Sequence, residues 1–139
     1  MATQIFVNLP VKDLDKSIEF FIKLGYTFNP QFTNENATCM IVSDAIYVML
    51  LTEPFFKTFI TKEIADSSKV VESIICLSAD GRDAVDATIN KAVEAGATTY
   101  KEKIDYGFMY SGSFQDLDGH LWEYVWMDPA GPPQEGQSA

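Results

Sequence analysis

Two helix stops of the same kind, K-L-G-Y-T around Gly25 and E-A-G-A-T around Gly96, each lead directly into a strand-like run, and they constrain the fold more than any other feature. A glycine just past the last apolar position of a helix marks its C-terminus, because the chain there needs a backbone conformation that other residues resist. The same order of elements precedes and follows each stop. Ile5 to Val11 is a short apolar run with Pro10 near its end, so it reads as a strand that closes at an edge. Asp13 then caps a helix carrying Leu14, Ile18, Phe21 and Ile22 at helical spacing. Strands are expected over Tyr26 to Phe32, Thr38 to Ser43 and Ile46 to Thr52. In the second half, Ser73 to Ala79 is a strand, Asp80 or Asp83 opens a helix bearing Val85, Ile89, Ala92 and Val93, and Gly96 ends it. Thr98 to Lys103, Phe108 to Gln115 and Leu121 to Met127 are the three strands that follow. One β-α-β-β-β order read twice in a short chain points to an internal duplication and an α+β fold of two tandem units.

The units are bounded at residues 1–52 and 71–128. Residues 53–70 form a Phe-rich connector in which Phe56, Phe59, Ile60 and Ile64 have the spacing of an amphipathic helix, either a crossover or a lid over a pocket. From Pro129 to residue 139 only Pro, Gly, Ala and polar residues occur, and a frayed tail is expected.

The last strand carries the chemistry. Its period of two puts Leu121, Glu123, Val125 and Met127 on one face and Trp122, Tyr124 and Trp126 on the other. Glu123 is then the one carboxylate on an otherwise apolar face, and its charge requires solvent, a partner or a function. His120, the sole histidine, lies on the opposite face of the strand and reads as a turn residue. No serine or cysteine has a base placed beside it by any recognisable motif. Cys39 and Cys76 lie in apolar runs without C-x-x-C spacing and are expected as buried free thiols in a reducing, cytoplasmic setting. The start M-A-T-Q-I-F-V-N-L-P lacks the features of a signal peptide, and no apolar run reaches membrane-spanning length. Twenty acidic residues against ten basic give a net charge of −10, which argues against nucleic acid and suits solubility or a cationic guest.

The opening V-N-L-P-V-K-D-L-D-K-S-I-E-F-F-I-K-L-G-Y, the doubled element order and the closing F-Q-D-L-D-G-H-L-W-E resemble the vicinal oxygen chelate superfamily, which includes glyoxalase I, the bleomycin-resistance proteins and the extradiol dioxygenases. The segments L-L-T-E-P-F-F, D-Y-G-F-M-Y and W-M-D-P are similar to a glyoxalase-like branch labelled predicted lactoylglutathione lyases. The resemblance covers Ile5 to Pro129. It implies a curved half-barrel around one cavity, the glyoxalase/bleomycin resistance fold, commonly in a homodimer.

Metal-using members of the superfamily place ligands on the first and last strand of each unit. Counting seven residues back from Asp13 and Asp80 selects Phe6 and Ser73, and the turn equivalence of Asp44 with Asp118 selects Met49 beside Glu123. Phe6, Met49 and Ser73 are poor ligands for a hard or borderline ion, and the neighbouring Gln4 or Asn8 does not supply the usual histidine or glutamate. No metal and no other cofactor are therefore expected. Two functions compete: a small-molecule-binding protein with Glu123 as polar anchor in an apolar, aromatic cavity, or a glyoxalase-like lyase using Glu123 as base or metal ligand. A non-catalytic interaction scaffold is a third reading. The ligand-binding residues expected are Phe6, Asn8, Met49, Ser73, Tyr110, Leu121 and Glu123, with Glu123 also the one catalytic candidate.

Overall fold

A computed structural model describes residues 3–132. The chain divides into two compact units, Met1–Val70 and Val71–Ala139, each built on its own four-stranded sheet.

In the first unit β1 (Ile5–Val11) leads to α1 (Leu14–Lys23), then β2 (Thr27–Phe28), a 3-10 turn (Pro30–Phe32), β3 (Ala37–Ile41) and β4 (Ile46–Thr52), in the sheet order β1-β4-β3-β2. The last strand is thus central, parallel to β1 and antiparallel to β3. Asp13 caps α1 as expected, its carboxylate accepting the Lys16 N–H at 3.1 Å, a contact worth about 1 kcal/mol in typical helices. The apolar stripe of α1 packs Phe20 and Phe21 against a core that includes Val11, Met40, Val48 and Leu50, all at most 2% exposed. The two phenylalanine rings meet edge to face at 4.9 Å.

The second unit repeats the order: β5 (Ile74–Ser78), α3 (Arg82–Glu94), β6 (Ile104–Asp105), β7 (Met109–Gln115) and β8 (Leu121–Met127), arranged β5-β8-β7-β6. Gly25 and Gly96 are equivalent stops. Each has positive φ, +105° and +114°, and each helix closes through the same pair of bonds. Gly25 and Tyr26 donate to Ile22 O and Phe21 O, and Gly96 and Ala97 donate to Val93 O and Ala92 O. These are Schellman closures, which satisfy carbonyls that the helix end would leave unpaired.

Four expectations need correction. The strand expected over Tyr26 to Phe32 is only two residues long, because Pro30 cannot donate to a ladder and Asn29 turns the chain by accepting the Gln31 N–H. The strand expected over Thr98 to Lys103 is a single bridge, Thr98 to Gln115, with the ladder resuming at Ile104. The connector helix, α2, covers only Glu53–Lys57; Thr58 ends it by bonding Phe55 O through both its N–H and its hydroxyl. Helix α3 begins after Gly81 with no side-chain cap, so neither Asp80 nor Asp83 plays the part of Asp13. At the C-terminus Ala130 and Gly131 donate to Asp128, and residues 133–139 of the expected tail lie outside the described residues. Among the described residues no helix is long and apolar enough to cross a membrane.

Helix α3 lies on the face of sheet two that carries Trp122 and Tyr124. Val85, Ile89 and Ala92 are buried there with Phe114, which stacks on Trp122 and Tyr124 at 6.4 and 6.0 Å. At the open end of this layer Arg82 makes a two-pronged pair with Asp105 at 2.7 and 2.9 Å, donates to Gly107 O, and lies over the rings of Tyr110 and Trp126. The guanidinium holds the Asp105 carboxyl down to about 2.

The approach of helix to sheet depends on Gly112. A Cβ at that position would stand 2.7 Å from Ile89 Cγ1 and 3.3 Å from Val85 Cγ1. Replacing Gly112 with alanine is expected to push α3 off the sheet and cost about 1–3 kcal/mol, the range for an overpacked core, measured as a lower midpoint of urea unfolding with unchanged slope.

Candidate functional site

The β7–β8 turn aims the last strand, and it is organised by one carboxylate. Asp116 is 8% exposed. Its Oδ1 accepts the N–H groups of Asp118 and His120 at 3.0 Å each, and its Oδ2 accepts the indole N–H of Trp122 at 2.9 Å. Its own N–H donates to His120 O, and Gly119 supplies the positive φ of +91° that the turn needs. Burial pushes the Asp116 carboxyl up, while nearby His120 and the Trp122 bond pull it down. His120 is accordingly a turn residue. Replacing Asp116 with asparagine should cost about 1–3 kcal/mol: one oxygen can still accept, but an amide N–H₂ or an unfilled acceptor then mismatches either the turn or the buried indole. Chemical unfolding followed by tryptophan fluorescence measures this.

Beyond the turn, alternation is as expected. Trp122 and Tyr124 are buried beneath α3, and Glu123 and Val125 look out from the other face, half-buried. Strand register identifies the neighbours of Glu123 on that face: Cys76 across the parallel β5 pairing and Ser113 across the antiparallel β7 pairing. In the first unit the corresponding central residue, Met49, has Asn8 and Cys39 beside it.

Glu123 is not a lone carboxylate. Lys101 Nζ lies 3.4 Å from its Oε2, with side-chain exposures of 36% for the lysine and 17% for the glutamate. Lys101 also stands 5.8 Å from the centroid of the Tyr100 ring. Two hydroxyls, Ser113 Oγ and Tyr100 Oη, are buried with no hydrogen-bond partner among the described residues. Cys76, expected to be buried, is exposed because it lies on the outward face of an edge strand; Cys39 is buried as expected. Desolvation first and the Glu123 charge second push the Cys76 thiol up, while Lys101 pulls it down.

The other expected site residues are distributed as follows. Ser73 precedes β5 and is exposed, so it is not the residue beside Glu123; the β5–β8 ladder puts Cys76 there. Tyr110 lies on the opposite face, paired with Trp126, and its hydroxyl donates to Asp86 of α3 at 2.7 Å. Asp86 also takes an ion pair from Lys103. Leu121 shares the face of Glu123, across from Ile74. Phe6 is 49% exposed and stacks on Tyr47 at 4.9 Å, and Asn8 is exposed with its amide bonded to Phe6 O. Sequence reasoning missed Cys76, Lys101 and Ser113. The period of two could have placed Ser113 once the β7–β8 register was known. Lys101 carried no signal, since it lies in an irregular segment.

A metal of the kind the resemblance implies does not fit the chain's donors. Phe6 has no donor atom, Met49 offers a thioether and Ser73 a neutral hydroxyl; strand register puts Asn8 beside Met49 and Cys76 beside Glu123, so one thiol and one carboxylate are the strongest donors at these positions, short of the three that a catalytic zinc needs. Among the described residues no group of three or more His, Cys, Asp or Glu side chains converges as a ligand set.

The doubled β-α-β-β-β architecture is the glyoxalase/bleomycin resistance fold. Residues 3–43 match the family model described as bleomycin resistance protein-like N-terminal. A hypothetical protein, SA1046, from S. aureus is 27% identical over 91% of this chain and 95% of its own, with a TM-score of 0.76. A glyoxalase-related enzyme from Fulvimarina pelagi superposes with a TM-score of 0.77 at 17% identity, covering 99% and 96% of the two chains. A lactoylglutathione lyase from Agrobacterium tumefaciens gives 0.66 at 14% identity, covering 91% and 94%. No curated protein matches the sequence. The N-terminal match and the shared fold are consistent with the vicinal oxygen chelate superfamily, as the end motifs implied.

Proposed function

We propose that this is a small-molecule-binding protein of the glyoxalase/bleomycin resistance type that works without a metal or other cofactor and uses Glu123 as its polar anchor. The observation that carries the reading is the outward face of β8. A half-buried carboxylate there stands beside a buried serine hydroxyl that has no hydrogen-bond partner among the described residues, on strands held in register by a packed core. A hydroxyl without a partner costs stability and is retained most readily where something else supplies the bond. Apolar Leu121 and Val125 flank Glu123 on the same face and offer surface to the rest of a guest. The glyoxalase-like lyase reading has less support, because the positions that the resemblance marks for metal carry few ligating groups and, among the described residues, no three His, Cys, Asp or Glu side chains converge as a ligand set. The net charge of −10 favours a small, cationic or donor-rich guest over nucleic acid. We place the protein in the cytoplasm as a homodimer, on the strength of its free thiols and the resemblance.

Two outcomes are expected. Protein purified without chelator should carry well under one equivalent of divalent metal by elemental analysis; one equivalent of zinc, nickel or iron together with isomerase activity on a glutathione hemithioacetal would reverse the reading in favour of the lyase. In a thermal-shift screen of small amines and aromatic cations, a binder should raise the melting point of the parent, and Glu123→Gln should weaken it by more than about 1.5 kcal/mol by calorimetry, the range of a charged hydrogen bond. Equal affinity in both proteins would remove Glu123 as the anchor.

A further inference from the structure

We infer that Lys101 occupies the Glu123 site as a built-in substitute for its ligand, and that the site takes a primary amine carrying a hydrogen-bond acceptor a few bonds away. The inference rests on the binding function proposed above and specifies the class of guest.

The geometry begins at an irregularity in sheet two. The segment before β6 runs antiparallel to β7, bridged at Thr98 to Gln115 and again at Ile104 to Ser111. Six residue steps on the segment therefore face four on β7, and Lys101 lies in the irregular stretch that holds the surplus. A surplus of this kind re-aims side chains. From there the Lys101 ammonium reaches Glu123 on β8, which is one strand further than β7. A side chain spanning that distance passes over β7 at the level of the residue paired with Glu123, which is Ser113. Ser113 is 4% exposed and its Oγ has no hydrogen-bond partner among the described residues. Ser113 therefore lies on the strand between Lys101 and Glu123, and the lysine leaves its hydroxyl without a hydrogen bond.

Lys101 is weakly held in this position. Its contacts are a single 3.4 Å approach to Glu123 and a distant one to the Tyr100 ring at 5.8 Å, more than a third of the lysine side chain is exposed, and its backbone lies outside any named strand. Exposed pairs of this kind contribute little to stability and are readily exchanged. A ligand ammonium can take the place of the lysine ammonium at Glu123. With the stem swung away, an acceptor on the ligand can take the Ser113 hydroxyl proton. Side chains directly opposite on antiparallel strands have Cβ atoms about 4.5–5.5 Å apart, which suits an amine and an oxygen two or three bonds from each other. A face with one carboxylate and one hydroxyl is thereby matched to amino alcohols and amino amides.

The test titrates ethanolamine, glycinamide, n-propylamine and acetate into isotopically labelled protein and follows the backbone amide signals of Ser113 and Glu123. Lys101→Ala should bind ethanolamine and glycinamide at least about fivefold more tightly than the parent, and Lys101→Arg, which keeps the charge, should stay near the parent value. Adding Glu123→Gln to Lys101→Ala should abolish amine binding. Adding Ser113→Ala instead should bring ethanolamine down to the level of n-propylamine, which has no acceptor. Unchanged amine affinity in Lys101→Ala, or an equal gain for acetate, would overturn the inference. If Lys101→Ala binds no amine better but a different ligand of the parent still depends on Glu123, only the substitution by Lys101 fails; if no ligand of any variant depends on Glu123, the proposed function fails with it.

Discussion

The parallel pairing of first and last strand in each unit is the constraint on which everything else rests. Parallel neighbours cannot be joined by a tight turn, so the chain must leave the sheet, cross it as a helix and return through two more strands before the last one slots in beside the first. That requirement makes β4 and β8 central, pairs them on both sides, and sets the register that puts Asn8 beside Met49 and Cys76 beside Glu123. The twin Schellman closures at Gly25 and Gly96 serve the same pairing by turning the chain sharply back at the end of each crossover helix.

Within the second unit, two local devices fix the central strand in place. Asp116 ties the turn and the indole of Trp122 to one buried carboxylate, which fixes where β8 begins. Gly112 lets α3 settle directly on β7, so Val85 and Ile89 close over the strand that lies next to Glu123. The inward face is filled by large aromatic side chains, and the outward face of the same strands carries small and polar ones, Ser111, Ser113 and Glu123. The aromatic face holds the sheet against α3.

Related folds carry many activities, and what a chain does follows from the residues at its site. In this chain the positions that the resemblance marks for metal carry carbon, a thioether and one neutral hydroxyl, while the surviving carboxylate faces an ammonium from its own chain.

Much of the fold was legible in the sequence because it depends on short-range patterns. Helical spacing with a glycine stop gave both helices, period-two alternation gave the two faces of β8, and the repetition of the whole order gave the tandem units. The weak strands were misread for the same reason: Tyr26 to Phe32 and Thr98 to Lys103 have strand-like composition, but Pro30 and an irregular stretch decide their fate, and ladder pairing is a property of two segments at once. The candidate site was half legible. Glu123 stood out as a charge on an apolar face, whereas Lys101, Ser113 and Cys76 come to it only through register and through the path of an irregular segment, and Tyr110 was assigned to the wrong face for want of that register. The sequence by itself determined the elements, their order and the one carboxylate that needed a partner; the tertiary structure alone decided which partner it found, because a lysine twenty-two residues away reaches it across a strand and nothing in local spacing encodes that distance.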